Sequence, residues 1–400
     1  MIVDPNSVRW LSLASVLATV LAATSGTSAS ADDGEAWRLF VADHSAPVVR
    51  VIETDGDVTA SFDIAGPASL AKGPSGTVVY AIQSDADIIH AIDSGIVLED
   101  HGDHADLKVE APRLLDTTLV GGRPVHFVVH DGDIAVFYDG EGVARIYGAR
   151  GGEPRVIETA APHHGVAASI GNHVLVSIPH PEDSSKLPVG IRLLDADGAQ
   201  VGADHACPDL HGEAASGSIM ALACATGILV VRPDGTNPPK VTHLAYAPDL
   251  PEGKSTTLLG ASGLQYFVGN YGADAIVVIN PAAETFTRVQ LPTRRVHFAM
   301  DPERPQLVYV FTEDGQLHKL NALTGSIEAS LTLTGPYSMD GHWRDPRPRI
   351  AVAGDDIFVT DPNAGVLRVV EIESFADAGE IAVEGMPYVI TAVGGHGAHH

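Results

Sequence analysis

After residue 32 the chain alternates short apolar, β-branched runs with Gly, Asp, Asn and Pro turns. Helical periodicity is almost absent. Trp37–Ala42, Thr77–Ile82, Ile134–Phe137, Leu264–Val268, Leu307–Phe311 and Asp356–Val359 each read as one strand between turn signals. The runs belong to a longer repeat, in which a strand led by Pro or His is followed by a turn, an apolar strand and a more polar one. Comparable starts fall at Pro67, Pro124, Pro162, Asp209, Ser255, Arg295, Pro348 and Met386. His126, His164 and His211 recur at intervals of 38 and 47 residues, close to the roughly 40–45 of a four-stranded propeller blade. The pattern predicts an all-β fold, a β-propeller of about eight blades of four-stranded antiparallel sheets. The last start lies too near the end to hold a full blade. Trp37–Ala42 and Val48–Glu53 are the strands expected to complete it, so both chain ends close the ring and leave no open edge.

The first residues follow a different rule. Arg9 precedes an apolar run from Trp10 to Ala23 and a small-residue stretch ending Ala29-Ser30-Ala31. That is the pattern of a secretory signal peptide, with cleavage near Ala31. The expected organisation is a signal peptide at 1–31, one propeller domain at 32–395 and a His-rich tail at 396–400. No stable membrane insertion is expected after cleavage, and export implies a periplasmic protein. In that oxidising setting Cys207 and Cys224, the two cysteines, read as a disulfide staple.

Charge narrows the partners. A net charge of −27 argues against nucleic acid, whose binding requires phosphate neutralisation by Lys and Arg. Cations are the natural ligands, and nineteen histidines are the groups to hold them. His126, His164, His211 and His297 share one repeat position, the start of the innermost strand, so distant residues meet around a central channel. Imidazole suits zinc better than calcium or magnesium. The blades of His126, His164 and His211 are consecutive, and these three form the core of the expected site, with His297, His163 or a carboxylate as a fourth ligand.

Three lesser groups could also bind metal. Asp100-His101-Gly102-Asp103-His104-Ala105-Asp106 is an insertion rich in ligands, and His101, Asp103 and His104 read as a metal-capturing loop. Asp340 and His342 lie in a loop leading to an inner strand, and His44 sits in a turn. The tail Gly395–His400 has at most an accessory role. No Gly-x-Ser-x-Gly elbow, His-Glu-x-x-His motif, haem attachment or phosphate loop occurs, so an enzyme is not expected.

Two stretches carry a family resemblance: PVHFVVHDGDIAVFYDGEG at Pro124–Gly142 and EDHGDHADL at Glu99–Leu107. With the export signal and the repeat, the chain resembles the AztD family of periplasmic zinc metallochaperones over essentially the whole mature sequence. The resemblance implies zinc capture and direct transfer to the solute-binding protein of a zinc ABC transporter. The competing reading is a metal-dependent propeller enzyme, either a lactonase-type hydrolase or a copper redox protein. A third is an adhesion or scaffold propeller without metal.

Overall fold

The computed structural model describes residues 34–100, 105–260, 263 and 265–397. The expected signal peptide, the loop tip at His101–His104 and the last three residues lie outside them. Eight four-stranded antiparallel sheets form the propeller, and in seven of them the strands follow in chain order from the innermost outward. The inner strands of blades 2 to 8 are Ser69–Lys72, Pro124–His130, Ala167–Ile170, Glu213–Ser216, Leu258–Gly260, Arg295–Met300 and Ile350–Ala353. Blade 1 is the composite. Its inner strand is Pro387–His396, which pairs antiparallel with Glu35–Asp43, and Val48–Glu53 and Val58–Asp63 lie outside that. The expected closure by both ends is therefore present, with a third N-terminal strand beyond the two expected. The final strand runs through His396, which pairs with Glu35.

Burial explains the apolar runs. Each sheet is covered on both faces by its neighbours, so second strands such as Ile219–Cys224 are buried at every position. Outermost strands such as Ser326–Thr332 alternate exposed and half-buried residues, as a sheet edge facing water should. The largest core cluster runs through blades 3, 4 and 5, from Val128 and Phe137 through Leu175 and Leu193 to Leu222 and Leu229. The blades that carry three candidate ligands thus share one packed interior. No helix among the described residues is long and apolar enough to cross a membrane.

Two local features matter for the site. A hairpin, Ile96–Asp100 paired with Ala105–Val109, is inserted between the third and fourth strands of blade 2. Inner strands all start at one end of the propeller, and third strands finish at the other. The base of the hairpin therefore leaves from the end opposite to the inner-strand starts. The second feature is the disulfide between Cys207 and Cys224. It ties the segment after blade 4 to the second strand of blade 5, where His211 N–H donates to the Ala223 carbonyl. The enclosed loop spans 17 residues, for which cross-linking contributes about 3 kcal/mol. Replacing both cysteines by serine should lower thermal stability by about that much in calorimetry, while zinc stoichiometry is unchanged because neither sulfur is a ligand.

Candidate metal centre

His126 lies in the inner strand of blade 3, and His164 and His211 lie in the connections entering blades 4 and 5. The chain can carry the last two inward because each is followed by glycine. A Cβ on Gly165 would stand 2.4 Å from the Phe137 ring and 2.6 Å from Ser177 Oγ. Gly212 has φ +91°, and a Cβ there would meet the Thr256 carbonyl at 2.6 Å.

The three rings converge. Centroids are 4.7 Å apart for His126 and His164, 5.3 Å for His164 and His211, and 6.3 Å for His126 and His211. Each ring has its Nδ1 tied to an acceptor. His126 Nδ1 meets Glu213 Oε1 at 2.9 Å, His164 Nδ1 meets Asp139 Oδ2 at 2.7 Å, and His211 Nδ1 meets the Thr256 carbonyl at 2.8 Å. Those acceptors assign the proton to Nδ1 in every ring and leave Nε2 as a lone pair. A ligand histidine is normally oriented in this way by a carboxylate or carbonyl behind it.

The Nε2 atoms of His126 and His164 stand 3.1 Å apart. Two bare lone pairs at that distance repel, and a proton or a metal ion between them would relieve that repulsion. A tetrahedral zinc with bonds of about 2.0 Å holds neighbouring nitrogens roughly 3.3 Å apart. The spacing of these two already fits. His211 stands farther out, and among the described residues no group of three or more His, Cys, Asp or Glu is arranged to hold a metal without side-chain movement. His164 is more open than His126, with 32% of its side chain accessible against 15%.

Electrostatics favour a cation here. Burial would depress His126, but the Glu213 charge, its hydrogen bond and Asp139 outweigh it and raise the pKa above the ordinary value. For Glu213, burial is likewise outweighed by the facing histidines, which lower its pKa. His211 is lowered, first by burial and further by the two neighbouring rings, against the pull of the Thr256 carbonyl. Glu213 Oε2 is buried and has no hydrogen-bond partner, so the carboxylate keeps a strong demand for positive charge. Glu213→Gln preserves an acceptor for His126 and removes the charge. We expect zinc affinity to fall by about 10- to 100-fold in a chelator competition titration, with the fold intact; an unchanged affinity would remove Glu213 from the site.

The other candidates are not brought to this cluster. His163 is buried inside blade 4, with Nδ1 donating to the Ala161 carbonyl and Nε2 accepting from Ser177 Oγ, so both nitrogens are used. His297 accepts the Ile350 amide at Nδ1 and stands under Arg295 and Arg349, whose charges oppose a metal ion. Asp340 is exposed and paired with Arg294, and His342 is exposed beside Trp343. His44 packs edge-on against Tyr388. His101, Asp103 and His104 lie outside the described residues. Sequence reasoning missed Asp139 and Glu213. Glu213 follows His211 by two positions, and Asp139 immediately follows the strand paired with that of His126, which is the only trace either left in the sequence.

Comparison with known proteins places the chain in a family. The zinc chaperone AztD of Citrobacter koseri is 49% identical over 407 aligned positions, covering 99% of this chain and 96% of that protein. The chain belongs to the AztD family. The crystal structure of Citrobacter koseri AztD superposes with a TM-score of 0.88 at 49% identity, covering 92% of this chain and all of that one. Its apo form gives 0.86 at 48% identity with the same coverage. A dihydro-haem d1 dehydrogenase, NirN, gives 0.58 at 14% identity and shares the fold alone. No protein-family model matches the sequence. Membership of the AztD family thus rests on the whole length of the chain, including the blades of the three histidines.

Proposed function

We propose that this protein is a zinc-binding metallochaperone of the periplasm, exported by its N-terminal segment, that captures zinc and hands it to the solute-binding protein of a zinc ABC transporter. The observation that carries the reading is the set of three rings with every Nδ1 tied back to an acceptor and Nε2 left to converge. His126, His164 and His211 supply three nitrogen ligands, and Glu213 and Asp139 balance the charge of the ion. Three ligands leave one tetrahedral position for water or an incoming group. Both carboxylates point at the outer nitrogens of ligand rings, so neither is placed as a general base beside the open position, which supports a carrier over a hydrolase. Zinc binding at these Nε2 atoms competes with protons for the same lone pairs.

His164, more accessible than His126, is the natural first ligand to be exchanged for one from the acceptor. The hairpin carrying His101, Asp103 and His104 starts at the other end of the propeller, so it would capture zinc separately from the three rings. Mixing zinc-loaded protein with metal-free solute-binding protein, with and without a competing chelator, tests the transfer. Delivery should outrun spontaneous release. Deleting Asp100–Asp106 should preserve tight binding and slow delivery. Transfer no faster than dissociation would make the protein a zinc store, and equal rates after the deletion would exclude the loop.

A further inference from the structure

On the side of the channel away from the three histidines, two arginines replace the carboxylates that dominate this chain. Arg295 opens the inner strand of blade 7, and Arg349 immediately precedes the inner strand of blade 8. The neighbouring Arg294 turns away to Glu313 and Asp340. Arg295 and Arg349 make no ion pair among the described residues. Arg295 reaches the Gly272 carbonyl at 3.3 Å and lies over the Phe298 ring. Arg349 donates to Tyr388 Oη at 3.1 Å and lies over the same ring. Each guanidinium is therefore braced by an aromatic face, with most of its five donors unspent.

The two arginines feel each other. Burial and then the Arg349 charge push the Arg295 pKa down to about 10. His297 is driven far below its usual value by burial and by both guanidiniums. Since Nδ1 of His297 accepts the Ile350 amide, its proton sits on Nε2, where no acceptor among the described residues meets it. Two half-buried like charges without a counter-ion are costly. In a chain with 51 acidic and 24 basic residues a carboxylate would be easy to supply, and none among the described residues pairs with either arginine.

We propose that Arg295, Arg349 and His297 form an anion site that takes a small oxyanion bearing a carboxylate or phosphoryl group. Planar guanidiniums match both groups bidentately, and the neutral His297 adds a donor without adding charge. The site is separate from zinc binding and does not depend on that reading.

Inorganic phosphate and succinate, titrated calorimetrically into metal-free protein at low salt, are the probes. At least one should bind one-to-one, and Arg349→Gln and Arg295→Gln should each weaken it at least tenfold. Arg295→Lys keeps the charge but loses the fork and should weaken it less. His164→Ala should bind the anion as the native protein does. Circular dichroism verifies the fold of every variant, and zinc titration adds a second check for the arginine variants. Absence of saturable binding by either probe, or equal binding in the glutamine variants, would mean an adventitious ion only and would overturn the site.

Discussion

His164→Ala is expected to abolish the tightest zinc site while leaving the propeller folded. The ring is more accessible than that of His126, and its loss removes one of three nitrogen donors. The substituted alanine stays in a connection already shaped by Gly165 and stabilised by the surrounding blades. Removing a group that merely orients a ligand costs about 10- to 100-fold in metal affinity, and removing the ligand itself should cost more. A chelator competition assay on His164→Ala and His211→Ala should show affinity reduced by more than about 100-fold in each, with unchanged circular dichroism. Tight binding retained in both variants would place the metal elsewhere in the chain. Affinity should also fall with pH, because protons compete for the same Nε2 lone pairs.

The second large effect concerns the seam of the ring. Asp43 ends the strand that pairs with the C-terminal strand, and its side chain is fully buried. It accepts from Ser45 N and Oγ, both at 2.7 Å, from Arg50 Nη1 at 2.8 Å and from Met386 N at 3.2 Å. Asp43→Ala leaves Arg50 largely buried without its close counter-charge and should destabilise the protein by about 3–5 kcal/mol in denaturant unfolding. Burial alone would raise the Asp43 pKa, but these hydrogen bonds outweigh it and lower the value. A carboxylate with a depressed folded pKa contributes stability that is complete above its unfolded value near 3.9 and is lost as pH falls through the folded value. The native protein should therefore lose stability below about pH 4, and its advantage over Asp43→Asn should shrink there. A constant difference between the two from pH 7 to pH 3 would show that the charge of Asp43 is not what holds the seam.

Most of the fold was legible because both faces of each sheet are buried. That burial demands uninterrupted apolar runs such as Ile219–Cys224, and the turn chemistry between them repeats with the blade. The three converging histidines were legible for the same reason, since one repeat phase means one depth in the channel. Repeat phase does not give the angle around the axis, however. His297 has the same phase but lies two blades beyond His211, and its neighbours are Arg295 and Arg349 rather than carboxylates. His163 was misleading for a simpler reason: adjacent residues in extended chain face opposite ways, so when His164 turns to the channel His163 turns into the blade. Asp139 and Glu213 were invisible because a carboxylate at a strand end reads as a turn former or a solvated residue. Only pairing Pro124–His130 with Asp133–Tyr138 brings the end of the second strand beside the start of the first.

The composite first blade also sets the order in which the molecule can fold. Asp43 and Met386, which meet at the seam, are 343 residues apart in the chain, so the loop closed by their contact is among the longest the protein makes and slow to find. Blades 3, 4 and 5 need no such search. Each is built from one continuous stretch of sequence, and the histidines they carry are brought together by neighbouring hairpins. The metal centre can therefore assemble on an open arc of blades while Glu35–Asp43 still has one unpaired edge, with no need for the ring to close first.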